Sequence, residues 1–210
     1  MKPKLLTLLF CLFASVKSFS HPHSFIDMQV LPEIEQHQYQ GLTFTWKMDP
    51  MTSADIAYEL KNKKESDPEW KKQAATVMAN ILSQDYFTEF YSQGHKVRFK
   101  KLPSHYQLQR EGLQLIFTFT VPFESPFPIN GSDIEFLTYD PTFFVSMTYP
   151  DNKAILHPKE LEEICNIKLL EPDVTEALRT YADSLDIDET AEEDTTLGLQ
   201  FAQRVKIQCQ

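Results

Sequence analysis

Two stretches of the chain, GLTFTWKM at residues 41–48 and LQLIFTFTVPF at residues 113–123, alternate apolar and polar side chains almost without a break. A period of two places every second residue on one face of an extended strand, so Leu42, Phe44 and Trp46 share a face and Thr43, Thr45 and Lys47 share the other. Such segments form no helix with a coherent apolar stripe. They require a sheet with one face packed on a core, and this requirement constrains the rest of the reading.

Other segments fit the same pattern. HSFIDMQVL at residues 23–31 sets Phe25, Asp27 and Gln29 against Ile26, Met28 and Val30, and the polar turn near Gln36 to Gly41 makes it the first arm of a hairpin with the strand at 42–47. From His95 onward, HKVRFKKL, HYQLQREG, SDIEFLTYD and TFFVSMTYP read as further strands, followed by strands at 161–170 and 199–209. The period changes only between these groups. DPMTSADIAYELKNKK reads as a helix capped by Thr52 or Ser53 and running to about Lys63. Asp67-Pro68 then opens a second helix whose stripe Ala74, Val77, Met78, Ile81, Leu82, Tyr86 and Phe90 faces the core and ends near Gln93-Gly94. Pro172 opens a short helix over 174–184. The expected fold is α+β: mainly antiparallel sheet, with a two-helix insertion after the first hairpin and a C-terminal strand pinned by a disulfide.

The expected pair is Cys165 with Cys209. Met1-Lys2-Pro3-Lys4 is a short basic start, residues 5–16 are apolar, and Ser18-Phe19-Ser20 offers small residues for cleavage, so residues 1–20 read as a signal peptide. A lipid anchor on Cys11 is excluded, because that residue lies inside the apolar run behind Leu9 and Phe10. Removing the leader also removes Cys11, leaving an even pair in an oxidising compartment. Two thiolate metal ligands or a redox pair are the alternatives, and no C-x-x-C spacing supports either. Residues 21–210 form one α+β domain, exported to the periplasm or secreted, with no further apolar stretch long enough to cross a membrane. Loss of Lys2, Lys4 and Lys17 takes the formal charge from −10 to −13, which argues against nucleic acid as a partner.

No enzyme signature is present: there is no G-x-S-x-G, no phosphate-binding glycine loop and no H-E-x-x-H. The strongest constellation is the start of the mature chain. On an extended segment His21 and His23 point to one face with their bases roughly 6.5–7 Å apart, a spacing at which two imidazoles reach one metal. Asp27 shares that face as a third ligand or a supporting carboxylate. A free α-amine on His21 would also allow a histidine brace for copper, completed by a histidine from elsewhere. The amino-terminal copper motif that uses a deprotonated second amide is excluded by Pro22, which has no N–H. His105 and His157 are outside metal candidates, as are Asp49 and Asp140, whose positions before prolines also suit ordinary turns. His37 and His95 read as surface residues, and the acidic stretch from Asp183 to Asp194 as a solvated loop.

A leader followed by HPHSFID and GLTFTWKMDP, then DYFTEFYSQGHKV, YDPTFFV and a closing LGLQFAQRVKIQC, resembles a bacterial family of exported proteins of unknown function. That family is catalogued as the periplasmic component of an uncharacterised ABC-type transport system. Its opening His-Pro-His falls on His21, Pro22 and His23, its acidic position on Asp27 and its terminal cysteine on Cys209. Members are often encoded beside, or fused to, nickel/cobalt-type permeases. The resemblance therefore implies transition-metal handling in the periplasm, in service of an inner-membrane permease; imidazole and carboxylate donors suit zinc, nickel, cobalt or copper. The acidic, glycine-containing segment that members often carry between the two helices is reduced here to KNKKESDPEW, so the resemblance does not extend a cation role to it. Three readings follow: a periplasmic metal-binding or accessory protein, a copper-brace redox enzyme, or an interaction module with no metal.

Overall fold

The structure is a computed structural model and describes residues 22–185 and 196–210. In chain order its strands are β1 (Ser24–Glu35), β2 (Gln38–Met48), β3 (Thr88–Ser92), β4 (His95–Lys96), β5 (His105–Glu111), β6 (Gln114–Pro128), β7 (Asp133–Thr138), β8 (Val145–Thr148), β9 (Cys165–Leu170) and β10 (Arg204–Cys209). The α-helices are α1 (Pro50–Glu59), α2 (Pro68–Ser83), α3 (Lys159–Glu162), α4 (Glu176–Ser184) and α5 (Leu197–Phe201).

The strands form two five-stranded sheets, ordered β5-β6-β2-β1-β8 and β4-β3-β7-β10-β9. The opening hairpin is as expected: Asp27 opposes Lys47 and Val30 opposes Phe44, and Gln36 and His37 turn the chain at φ 51° and 60°. A two-residue turn with both central residues at positive φ matches the right-handed twist of the flanking strands. All pairings are antiparallel except β1 with β8, which run parallel with Ser24 opposite Val145 and Asp27 opposite Thr148. The two sheets enclose an aromatic core. Phe44 and Phe119 lie 5.2 Å apart between ring centroids, Trp46 meets Phe119 edge-on at 4.9 Å, and Phe90 of the second sheet reaches Phe123 of the first at 4.7 Å. Each such pair contributes about 0.5–1.5 kcal/mol beyond its area burial.

The helical insertion follows the first hairpin, with two differences from the sequence reading. Asp49, not Thr52 or Ser53, caps α1, accepting from the N–H groups of Met51 and Thr52, and the helix stops at Glu59. Ser53 is instead buried, its Oγ accepting from Leu115 N at 2.9 Å and tying α1 to β6. Helix α2 begins at Pro68 behind Asp67 as expected but ends at Ser83, ten residues before Gln93. Asp85, Tyr86 and Phe87 all take positive φ, which breaks the helix, and the chain continues as β3. Tyr86 and Phe90 therefore extend the helical spacing only by coincidence. Tertiary packing decides their state, since Phe90 stacks on Phe136 at 5.6 Å and Tyr86 on Phe119 at 6.4 Å.

Toward the C-terminus, residues 161–164 leave the expected strand for α3 and its end, and β9 starts at Cys165. Residues 199–201 belong to α5 rather than to the last strand. The short helix α4 starts at Glu176, because Thr175 accepts from Leu178 N at 3.2 Å and caps it there. Cys165 and Cys209 face each other in the β9–β10 register and are joined by the expected disulfide, with Cα atoms 4.0 Å apart. No helix among the described residues is long and apolar enough to cross a membrane.

Candidate functional site

Alternation in HSFIDMQV buries Ser24, Ile26, Met28 and Val30 and leaves Phe25, Asp27 and Gln29 on the outer face of the first sheet. The first turn of this strand is held from both sides. On the β2 side, Phe25 N donates to Asp49 Oδ2 at 2.9 Å and Asp49 N donates to Phe25 O at 3.0 Å. On the β8 side, His23 N donates to Phe144 O at 3.0 Å, and the His23 ring lies 4.9 Å from the Phe144 ring. Ser24 Oγ and Thr52 Oγ1 add a contact at 2.6 Å.

The two Asp-Pro aspartates build these clamps. Asp49 Oδ1 accepts from Met51 N at 2.7 Å and from Thr52 N at 3.1 Å, while Oδ2 accepts from Phe25 N and from the Thr52 hydroxyl. Partial burial pushes this carboxyl up, but the Thr52 hydroxyl and the N–H groups of Phe25, Thr52 and Met51 together hold it below its usual range. Asp140 is buried and does the same work in the β7–β8 loop. It accepts from Thr142 N and Val145 N, each at 3.0 Å, and from the Thr142 hydroxyl. Because Val145 opposes Ser24, this loop delivers Phe144 to His23. Both aspartates lie near the start of the first strand. Their oxygens are occupied by the chain's own donors, and the role visible for them is turn and cap chemistry.

The other candidates are dispersed. Asp27 is exposed four residues along the strand from His23, roughly 13 Å away at a strand's rise. Its sheet neighbours are Lys47 and Thr148. His157 is exposed and follows Leu156, whose N–H bonds Val30 O, roughly 23 Å along β1 from His23. His105 opposes Thr120, which opposes Thr43, which opposes Leu31. It therefore sits three strands across and roughly 26 Å along from His23. Among the described residues no group of three or more His, Cys, Asp or Glu is placed to hold a metal ion. His21 and the leader lie outside the described residues, as do residues 186–195 of the acidic stretch.

Beside the clamped segment is a cleft of about 380 Å³ between the outer face of the first sheet and α4. Pro22 and Phe25 form one wall, and Glu171, Arg179 and Asp183 contribute charge. Sequence reading passes over these residues. The available signals were a phenylalanine on the polar face of β1 and a single arginine in an otherwise acidic stretch. A second cleft, of about 410 Å³, lies on the outer face of the second sheet, and its charges are already paired. Glu89 accepts from Tyr91 Oη at 2.6 Å and Tyr139 Oη at 2.9 Å, and Glu135 is bound by Arg204 and by Lys206 at 3.1 Å.

Residues 6–209 match the profile of a family described as protein of unknown function, DUF1007. The chain belongs to the DUF1007 family. It is also 38% identical, over 208 residues, to an uncharacterized protein of Haemophilus influenzae, covering 99% of this chain and 100% of that protein. The match spans both sheets and the disulfide pair.

Proposed function

We propose that this DUF1007 protein is an exported, periplasmic carrier that holds a divalent transition metal at its His21-Pro22-His23 segment and serves a membrane metal permease. The observation carrying this reading is the two-sided clamp on His23 and Phe25, a few residues after the expected cleavage point. His23 N–H is taken by Phe144 O and Phe25 N–H by Asp49, so a segment that in most proteins frays is tied into the sheet. The disulfide supports an oxidising compartment.

In this reading His21 and His23 are the primary ligands. Asp27, too distant along the strand to share their metal directly, adds negative charge on the same face. Two imidazoles and an α-amine leave coordination positions open. An open site exchanges its metal readily, whereas a closed four-ligand site is structural. Zinc, nickel, cobalt and copper all accept such donors, so metal supply sets the cargo. The copper-brace alternative gains no support from His105 or His157, which lie far from the segment.

The test is a titration of the metal-free mature protein at pH 7.5 with zinc, nickel, cobalt and copper against a competing chelator, in wild type and in the His21→Ala/His23→Ala variant. Loss of at least tenfold in affinity in the variant is expected. Equal affinity in both proteins removes the segment as the binding site.

A further inference from the structure

We infer that the cleft beside the N-terminal segment binds a small zwitterion, an α-amino acid with an aromatic or imidazole side chain. The inference is independent of the metal reading. It rests on four features of the cleft. First, Phe25 lies on the polar face of β1, is 52% exposed, and contributes its ring to the cleft wall rather than to the core. Second, two more rings line the cleft: Phe143 stacks on Phe201 at 4.0 Å. Phe143 is held at φ 58° in the loop organised by Asp140, a conformation costly for a bulky residue.

Third, Arg179 and Asp183 stand one turn apart on α4 and both line the cleft, yet neither makes an ion pair or side-chain hydrogen bond among the described residues. Residues four apart on a helix are normally well placed to pair. Here a guanidinium and a carboxylate are instead left available to a third party. Fourth, Glu171 is fixed in place. The buried Gln203 Nε2 donates to both of its oxygens, at 2.8 and 3.1 Å; the Gln203 amide is itself locked on Tyr149, whose N–H donates to Gln203 Oε1 at 2.6 Å and whose carbonyl accepts from Gln203 Nε2 at 3.1 Å. A carboxylate has about four acceptor positions, so Glu171 retains capacity for a ligand.

These features select the ligand class. One cation and two carboxylates disfavour a simple anion, and the guanidinium disfavours a simple cation. A molecule carrying both charges satisfies both: its carboxylate on Arg179 in a bidentate pair, its ammonium on Asp183 and Glu171. The aromatic walls receive an unsaturated side chain. A volume of about 380 Å³ suits a ligand of this size, at the low end for small-molecule sites.

The experiment is isothermal titration calorimetry of the metal-free mature protein with L-histidine and L-phenylalanine. The comparison ligands are L-alanine, which lacks the ring, and phenethylamine, which lacks the carboxylate. Saturable binding with Kd below about 100 μM is expected for the two ring-bearing amino acids. Binding at least about tenfold weaker is expected for both comparison ligands and for Arg179→Gln with L-phenylalanine. Arg179 is exposed, so an unchanged melting temperature verifies that this variant is folded. The His21→Ala/His23→Ala variant is expected to bind L-phenylalanine as wild type does, which separates this site from the metal site. Absence of saturable binding by wild type up to about 10 mM, or equal affinity in Arg179→Gln, overturns the inference.

Discussion

Removing the Cys165–Cys209 bridge should cost this protein a large share of its stability, through the unfolded chain rather than through lost packing. The bridge joins residues 44 apart. In the chain-entropy treatment, closing a loop of that length removes about 13 cal/mol/K from the unfolded ensemble, or about 4 kcal/mol at 25 °C. The folded side changes little, because β9 and β10 remain paired along their length from Arg204 opposite Leu170 to Gln208 opposite Asn166. Both cysteines are only half-buried, so Cys165→Ala/Cys209→Ala leaves no large cavity. Urea unfolding of residues 21–210, followed by tryptophan fluorescence and far-ultraviolet dichroism, should show about 4 kcal/mol lost. The m-value should rise, because the uncrosslinked unfolded chain exposes more surface. The melting temperature should fall by about 8–16 °C for a chain of this size. Reduced wild type should match the double variant. A loss below about 1 kcal/mol, or reduced wild type as stable as oxidised, would refute the loop-closure argument.

Asp49→Ala removes the acceptor for two N-terminal N–H groups of α1 and for Phe25 N–H, and should cost about 1–2 kcal/mol, with Asp49→Asn recovering part of it. Because hydrogen bonds hold the Asp49 carboxyl below its usual range, its contribution is present above the pKa of an unfolded aspartate and is lost as pH falls through the lower, folded-state value. Melting curves from pH 7 to pH 3 should therefore show wild type losing its advantage over Asp49→Asn in acid, and a constant gap would count against the charge. Gly198→Ala places a Cβ against the backbone oxygen of Asp140 and should destabilise by at least about 1–3 kcal/mol, with increased proteolysis around residues 140–144. Melting and limited proteolysis check it, and a neutral outcome would mean that α5 moves freely away from the loop.

Strand content and one face of each strand were legible in the sequence, because a period of two has a single packing solution. Val30, Phe44, Phe117 and Phe119 are buried as their alternation requires. The cysteine pair was legible by elimination once residues 1–20 are read as a leader, and the disulfide joins that pair. What failed was the end of α2: Tyr86 and Phe90 continue a helical spacing, and only the left-handed turn at residues 85–87 and the rings of Phe119 and Phe136 take them out of it. The candidate site was legible as a list but not as an arrangement. The sequence cannot show that Asp49 and Asp140 spend their oxygens on backbone donors, nor that His105 and His157 lie far from His23.

By itself, the sequence determined which strand faces are buried and that Pro68 opens α2, since these depend on local spacing and residue chemistry. The tertiary structure alone decided that β8 joins β1 in parallel, that the N-terminal segment is clamped between Asp49 and the Asp140 loop, and that Phe25, Glu171 and Arg179 share one cleft. Those relations join residues up to about 150 positions apart in the chain. Their energies exist only once the two sheets have closed on the aromatic core, so no local pattern encodes them.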